Sequence, residues 1–97
     1  VVEDIYNETM KQFDSRFAEG FMNGGKFLGH SIGLTMDESP AVANRFKEVL
    51  TEGMTFALEP KIALPGIGMV GSENTYLVTA NGGKALTGSP HKLYCIY

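Results

Sequence analysis

The stretch Met54-Thr55-Phe56-Ala57-Leu58-Glu59-Pro60-Lys61, continued through Pro65-Gly66 into Met69 to Thr79, decides the fold. Met54, Phe56 and Leu58 share one face, and Thr55, Ala57, Glu59 and Lys61 share the other, the period of a half-buried strand. Pro65-Gly66 is a turn signal. Beyond it, Gly71, Glu73, Thr75 and Leu77 lie on one side of a second strand from Met69 to Thr79. The two segments read as an antiparallel pair.

Glu59 and Glu73 are symmetric about Gly66, so a tight hairpin centred there sets the two carboxylates opposite each other on one face. At about 5 Å they repel by roughly 3 kcal/mol for an effective dielectric near 20, a sizeable share of a small domain's stability. A shared proton, a neighbouring cation such as Lys61, or a metal ion held by both carboxylates would offset this. The sequence permits all three, and a one-residue slip of the turn would send the side chains to opposite faces.

Working outward, Val2, Tyr6, Met10, Phe13 and Phe17 recur at spacings of three or four and predict one amphipathic helix ending near Gly20, its stripe packed against a sheet. Residues 20–25 are a Gly/Asn-rich connection. Lys26 to Leu34 mixes apolar residues with glycines and predicts short strands with a close backbone approach. Pro40 is expected to break that segment, with a loop or short helical turn from Ala41 to Leu50. Asn81-Gly82-Gly83 turns the chain into a last strand around Lys84 to Leu86. The fold class is α+β, one helix on a meander of antiparallel strands.

The 97 residues fit one domain or part of one, and a chain of this length buries only about two-thirds of its unfolded surface. Apolar residues at 43% and charged residues at 20% are ordinary for a globular chain and argue against disorder. The formal charge of −3, with Lys and Arg scattered, gives no footprint for nucleic acid or an anionic membrane. No apolar run approaches the roughly 20 residues of a membrane span, and the start lacks a basic then apolar leader. Cys95 alone permits no internal disulfide and suits a reducing compartment, so the expected location is the cytoplasm. The chain has no initiator Met and opens inside a helix, and is expected to be cut from a longer protein.

Among groups able to do chemistry, His30 sits in Gly29-His30-Ser31-Ile32-Gly33, where small neighbours leave room around the imidazole; it is either a satisfied structural group or a ligand. His91 reads as a surface residue. Asp37-Glu38 before Ser39-Pro40 is a helix cap, a solvated acidic pair or part of a site. Gly66-Ile67-Gly68 is no dinucleotide loop, because no helix pattern follows it.

Three segments taken together carry a resemblance: Gly29-His30-Ser31-Ile32-Gly33-Leu34 with Asp37-Glu38-Ser39-Pro40; Glu52-Gly53-Met54-Thr55-Phe56-Ala57-Leu58-Glu59-Pro60; and Glu73-Asn74-Thr75-Tyr76-Leu77-Val78-Thr79 with Asn81-Gly82. Their order and spacing resemble the pita-bread family of methionine aminopeptidases, aminopeptidase P, Xaa-Pro dipeptidases and creatinases. The match extends over nearly the whole chain, and Leu58-Glu59-Pro60-Lys61 is most similar to the Xaa-Pro peptidase branch.

The resemblance implies the C-terminal half of a pita-bread catalytic domain, residues 1–97, with the N-terminal half absent. It implies a metallopeptidase acting on peptides through a dinuclear centre of Mn, Co, Fe or Zn, a choice that suits mostly carboxylate donors with one imidazole. His30, Glu59 and Glu73 are then metal ligands, Glu73 bridging and Glu59 also the general base. The family's two further ligands, both Asp, come from the preceding half, so this chain alone is expected to be inactive and to bind metal weakly or not at all. Family peptidases commonly carry a second His seven positions after the first, thought to contact substrate; here that position is Asp37, an expected substrate-binding residue of altered chemistry. Without its other half the chain is expected to form a homodimer, or else to cover its open sheet face some other way. The alternatives are a creatinase-like metal-independent C–N hydrolase and a non-catalytic interaction module on the same fold.

Overall fold

In the computed structural model, which describes residues 1–88 and 91–97, one helix backs a five-stranded antiparallel sheet. Helix α1 spans Val2–Gln12, and two short 3-10 turns follow at Ser15–Gly20 and Met22–Gly24. The strands are β1 (Phe27–Ile32), β2 (Glu38–Ala43), β3 (Thr55–Leu58), β4 (Lys61–Leu64), β5 (Gly68–Gly71), β6 (Asn74–Thr79) and β7 (Gly82–Ala85). The large sheet has the order β2-β1-β3-β6-β7, and β4 pairs with β5 in a separate two-stranded ribbon.

The α1 stripe does what its spacing demands, but the helix stops earlier than the periodicity predicts. Val2 and Val42 are fully buried at the helix–sheet junction, in one cluster with Phe21, Leu28 and Phe56, and Tyr6, Met10 and Phe13 pack onto it. Each aliphatic side chain so buried contributes about 1.5–3 kcal/mol. Asp14 ends the run: its carboxylate accepts the Arg16 N–H at 2.9 Å and caps a new 3-10 turn, the local bond by which Asp competes with a continuing helix. The Arg16 guanidinium closes on the same carboxylate at 2.6 Å. Phe13 turns back onto Phe21, ring centroids 5.0 Å apart, and Phe17 stays outside the core cluster.

A second correction concerns Pro40. It does not end the segment but sits inside β2, so the first part of the expected loop or helical turn over Ala41 to Leu50 is strand. Strand β2 is the edge of the sheet, where a residue without an N–H is tolerated, and its ladder with β1 is irregular between Phe27 and Ser31.

Glu3 ties the start of α1 to the loop after β2. Its buried carboxylate accepts the Arg45 N–H at 3.0 Å and pairs with the Lys47 ammonium. Backbone bonds from Val2 to the Glu48 carbonyl and from Glu3 to the Phe46 carbonyl run beside it.

The hairpin register is the one symmetric about Gly66. Leu58 pairs with Asn74 and Ala57 with Thr75, and beyond a short gap Lys61 pairs with Gly71 and Leu64 with Gly68. Gly66 supplies the left-handed residue, φ 74°, of the turn between β4 and β5. The expected single strand from Met69 to Thr79 is thus two, β5 and β6, interrupted at Ser72 and Glu73.

Candidate metal centre

Glu59 and Glu73 occupy the gap between the two ladders. Glu59 follows the last residue of β3 and its N–H donates to the Leu28 carbonyl at 2.8 Å, anchoring it to β1; the Ser72 N–H bonds to the Pro60 carbonyl at 3.4 Å. Residues paired across a sheet share a face, and His30 pairs with Ala57, which pairs with Thr75. Two positions beyond Ala57 is Glu59; two before Thr75 is Glu73. The pleat therefore puts the imidazole and both carboxylates on one side, where their donor atoms all lie within 4.8 Å of one another. Glycine at position 29 allows the approach of β1 to β3, because a Cβ there would overlap the Ala57 carbonyl oxygen.

Burial grades across the cluster. The side chains of His30 and Glu59 keep 12% and 15% of their exposure, whereas Glu73 is exposed. Lys61 lies 3.3 Å from Glu59 Oε2, so the cation foreseen as one remedy for the opposed carboxylates is present. His30 Nδ1 stands 3.1 Å from the Ser31 carbonyl and 3.7 Å from Asp37 Oδ1. A carbonyl only accepts, and so does an ionised carboxylate, so both neighbours call for the proton on Nδ1. In the neutral ring this leaves Nε2 with a bare lone pair, the form a metal ligand needs. Asp37 itself is 78% exposed.

One imidazole and two carboxylates form a mostly hard donor set suited to Mn, Fe, Co or Zn, and three ligands leave coordination positions for water, substrate or residues from elsewhere. The chain's own donors therefore fit a divalent cation. The apolar cavity of about 600 Å³ lined by Ile5, Val42, Leu50, Phe56, Tyr76 and Val78 involves the helix and core residues and shares no residue with this cluster.

Of the roles left open for Glu38, the structure shows a turn-bracing one. Glu38 accepts the Thr35 N–H at 2.8 Å and its hydroxyl at 3.1 Å, bracing the loop that carries Asp37; a Cβ at Gly33 would strike that carboxylate. The hint is Thr35, three residues before an acidic side chain, a spacing common at turns and caps. Ser72 Oγ lies 3.3 Å from Nδ1 of the exposed His91, the surface position expected of that histidine. Cys95 is a free, exposed thiol.

An antiparallel sheet backed by a helix, with His and two opposed Glu gathered on one face, is the architecture of a pita-bread metallopeptidase. The description of metallopeptidase family M24 matches residues 1–80, and the chain belongs to that family. It is 35% identical over 92 residues to the Xaa-Pro dipeptidase of Pyrococcus furiosus, a match covering 95% of this chain and 25% of that protein. The structure superposes on a dipeptidase from Pyrococcus horikoshii OT3 with a TM-score of 0.77 at 29% identity, over 95% of this chain and 25% of the other. The P. furiosus prolidase gives a TM-score of 0.72 at 35% identity, over 92% and 25%. The chain spans about a quarter of the length of these relatives. No helix among the described residues is long and apolar enough to cross a membrane.

Proposed function

We propose that this chain supplies part of the active site of an Xaa-Pro dipeptidase-like metallopeptidase, with His30, Glu59 and Glu73 as metal ligands, Glu73 bridging two ions and Glu59 also the general base. The observation that carries the reading is the gathering of these three side chains within 4.8 Å by the hairpin register and the β1–β3 pairing. Residues 1–97 are the C-terminal part of the catalytic domain. The remaining ligands come from the other half, so the chain by itself is inactive, binds metal weakly, and in isolation covers its open sheet face by forming a homodimer. The enzyme acts on small peptides in the cytoplasm, the reducing compartment that the free thiol of Cys95 suits.

Divalent cations held by these residues, Mn, Co, Fe or Zn, would supply Lewis acidity toward the scissile carbonyl and would neutralise the opposed carboxylates. Glu59 takes the proton of the attacking water and returns it to the leaving amine as the C–N bond breaks. Its main chain is anchored to β1 by the N–H bond to the Leu28 carbonyl and its partly buried carboxylate is paired with Lys61, which limits the orientations from which the proton is taken.

The test is hydrolysis of Xaa-Pro dipeptides by the full-length protein. Chelation is expected to abolish turnover and Mn to restore it, and Glu59→Gln to lower kcat by roughly 10²–10⁴-fold, the usual worth of a general base. Full turnover in Glu59→Gln would sink the proposal. Activity that survives chelation would move the chain to the creatinase-like alternative, and absence of any turnover with any divalent ion to the non-catalytic one.

A further inference from the structure

Nδ1 of His30 faces two acceptors of different kinds, one at hydrogen-bond distance and one just beyond it. The Ser31 carbonyl at 3.1 Å is backbone and fixed by the strand; the Asp37 carboxylate at 3.7 Å is a side chain carrying charge. The loop that presents Asp37 is braced. The Gly33 N–H donates to the Thr35 carbonyl at 3.1 Å, Glu38 holds the Thr35 N–H and hydroxyl, and the Thr35 hydroxyl reaches the Asp37 carbonyl at 3.4 Å. Asp37 also directly precedes Glu38, which pairs with Ser31 in the β1–β2 ladder. The carboxylate is therefore delivered beside the imidazole by the sheet itself.

A carboxylate there can act on substrate directly or through His30. Both named neighbours of Nδ1 are acceptors, so Nε2 is the nitrogen left for a cation, and Asp37 stands at the opposite nitrogen of the ring. We propose that Asp37 is a positioning residue for His30: its charge favours the Nδ1–H tautomer and makes Nε2 a stronger donor, so that it tunes metal affinity without touching metal or substrate. Metal-ligating histidines commonly pass their second N–H to a carboxylate or carbonyl, and loss of a hydrogen-bonded partner typically weakens metal binding by about 10–100-fold. The long distance and the exposure of Asp37 place the effect at or below the bottom of that range. This inference rests on the metal reading of His30.

The experiment uses full-length protein and Mn2+ alone. Titration calorimetry of Asp37→Asn is expected to show affinity about 3- to 10-fold weaker than wild type, the gap narrowing at high salt because the charge is exposed. Asp37→Glu is expected to recover most of the loss. Imidazole 15N shifts of the neutral ring are expected to report Nδ1–H in wild type and a tautomer mixture in Asp37→Asn. At saturating Mn2+, KM for Xaa-Pro dipeptides should change less than about twofold. Unchanged Mn2+ affinity in Asp37→Asn overturns the proposal, and a raised KM with unchanged affinity assigns Asp37 to direct substrate contact instead. If wild type binds Mn2+ no better than His30→Gln, the metal reading of His30 fails and takes this inference with it; if only Asp37→Asn equals wild type, the metal reading stands and this inference alone falls.

Discussion

Lys61 Nζ lies 3.3 Å from Glu59 Oε2, so the cluster of two carboxylates and an imidazole carries a cation of its own. An ammonium in that position offsets part of the Glu59–Glu73 repulsion, and it also opposes any second cation brought to the same oxygens. Lys61→Gln should therefore bind Mn2+ more tightly than wild type, by about two- to fivefold once solvent screening of a partly exposed lysine is allowed for. Calorimetric titration of the full-length variant checks this; weaker binding would mean that Lys61 orients Glu59 more than it competes.

Glu3 gives the fold an acid-sensitive joint. Its hydrogen bond from Lys47, with a further one from the Arg45 N–H, holds its carboxyl below the ordinary value of 4.5. A depressed folded value means that the stabilisation is present above the unfolded pKa and is lost as pH falls through the folded one. Wild type is thus expected to exceed Glu3→Gln in urea midpoint at pH 6 to 7, with the difference shrinking below about pH 4.5. A difference independent of pH over that range would show that the Lys47 pairing contributes nothing through charge.

Gly29→Ala tests whether the β1–β3 approach builds the site. The added methyl meets the Ala57 carbonyl oxygen, a backbone atom that cannot swing aside, so β1 must move from β3 and carry His30, the next residue, with it. Overpacking of this kind costs about 1–3 kcal/mol, and Mn2+ affinity should fall more than tenfold as His30 leaves Glu59. Wild-type metal affinity in a destabilised Gly29→Ala protein would detach the glycine from the site.

The opposition of Glu59 and Glu73 was legible because a period-two strand on each side of one turn fixes parity, and the ladders at Leu58–Asn74 and Lys61–Gly71 keep it. That His30 joins them was not, except through the family motif. It depends on β1 pairing with β3 past the intervening strand β2 and the loop that follows it, a choice made by the packing of Leu28 and Phe56 with Val2 and Val42. The end of α1 was misread because Phe13 and Phe17 keep a helical spacing past the point where Asp14 captures the Arg16 N–H. Pro40 reads as a breaker in isolation and is tolerated because β2 is the edge of the sheet among the described residues.

The exposed member of the carboxylate pair yields the sharpest contrast between stability and function. If Glu73 faces Glu59 mainly to hold metal, its charge is a liability to the fold whenever no cation is bound, since Lys61 is one positive charge against two negative. Glu73→Gln removes the repulsion and keeps the shape. With chelator present the variant should be more stable than wild type by about 0.5–1 kcal/mol, a value reduced from the bare Coulomb figure because the side chain is solvated. With Mn2+ the order should reverse, because wild type gains binding free energy that the variant lacks. Urea titrations of both proteins, each with chelator and with Mn2+, give the four midpoints needed. A Glu73→Gln protein that is less stable under both conditions would mean that Glu73 is held by contacts other than metal, and its assignment as the bridging ligand would fall.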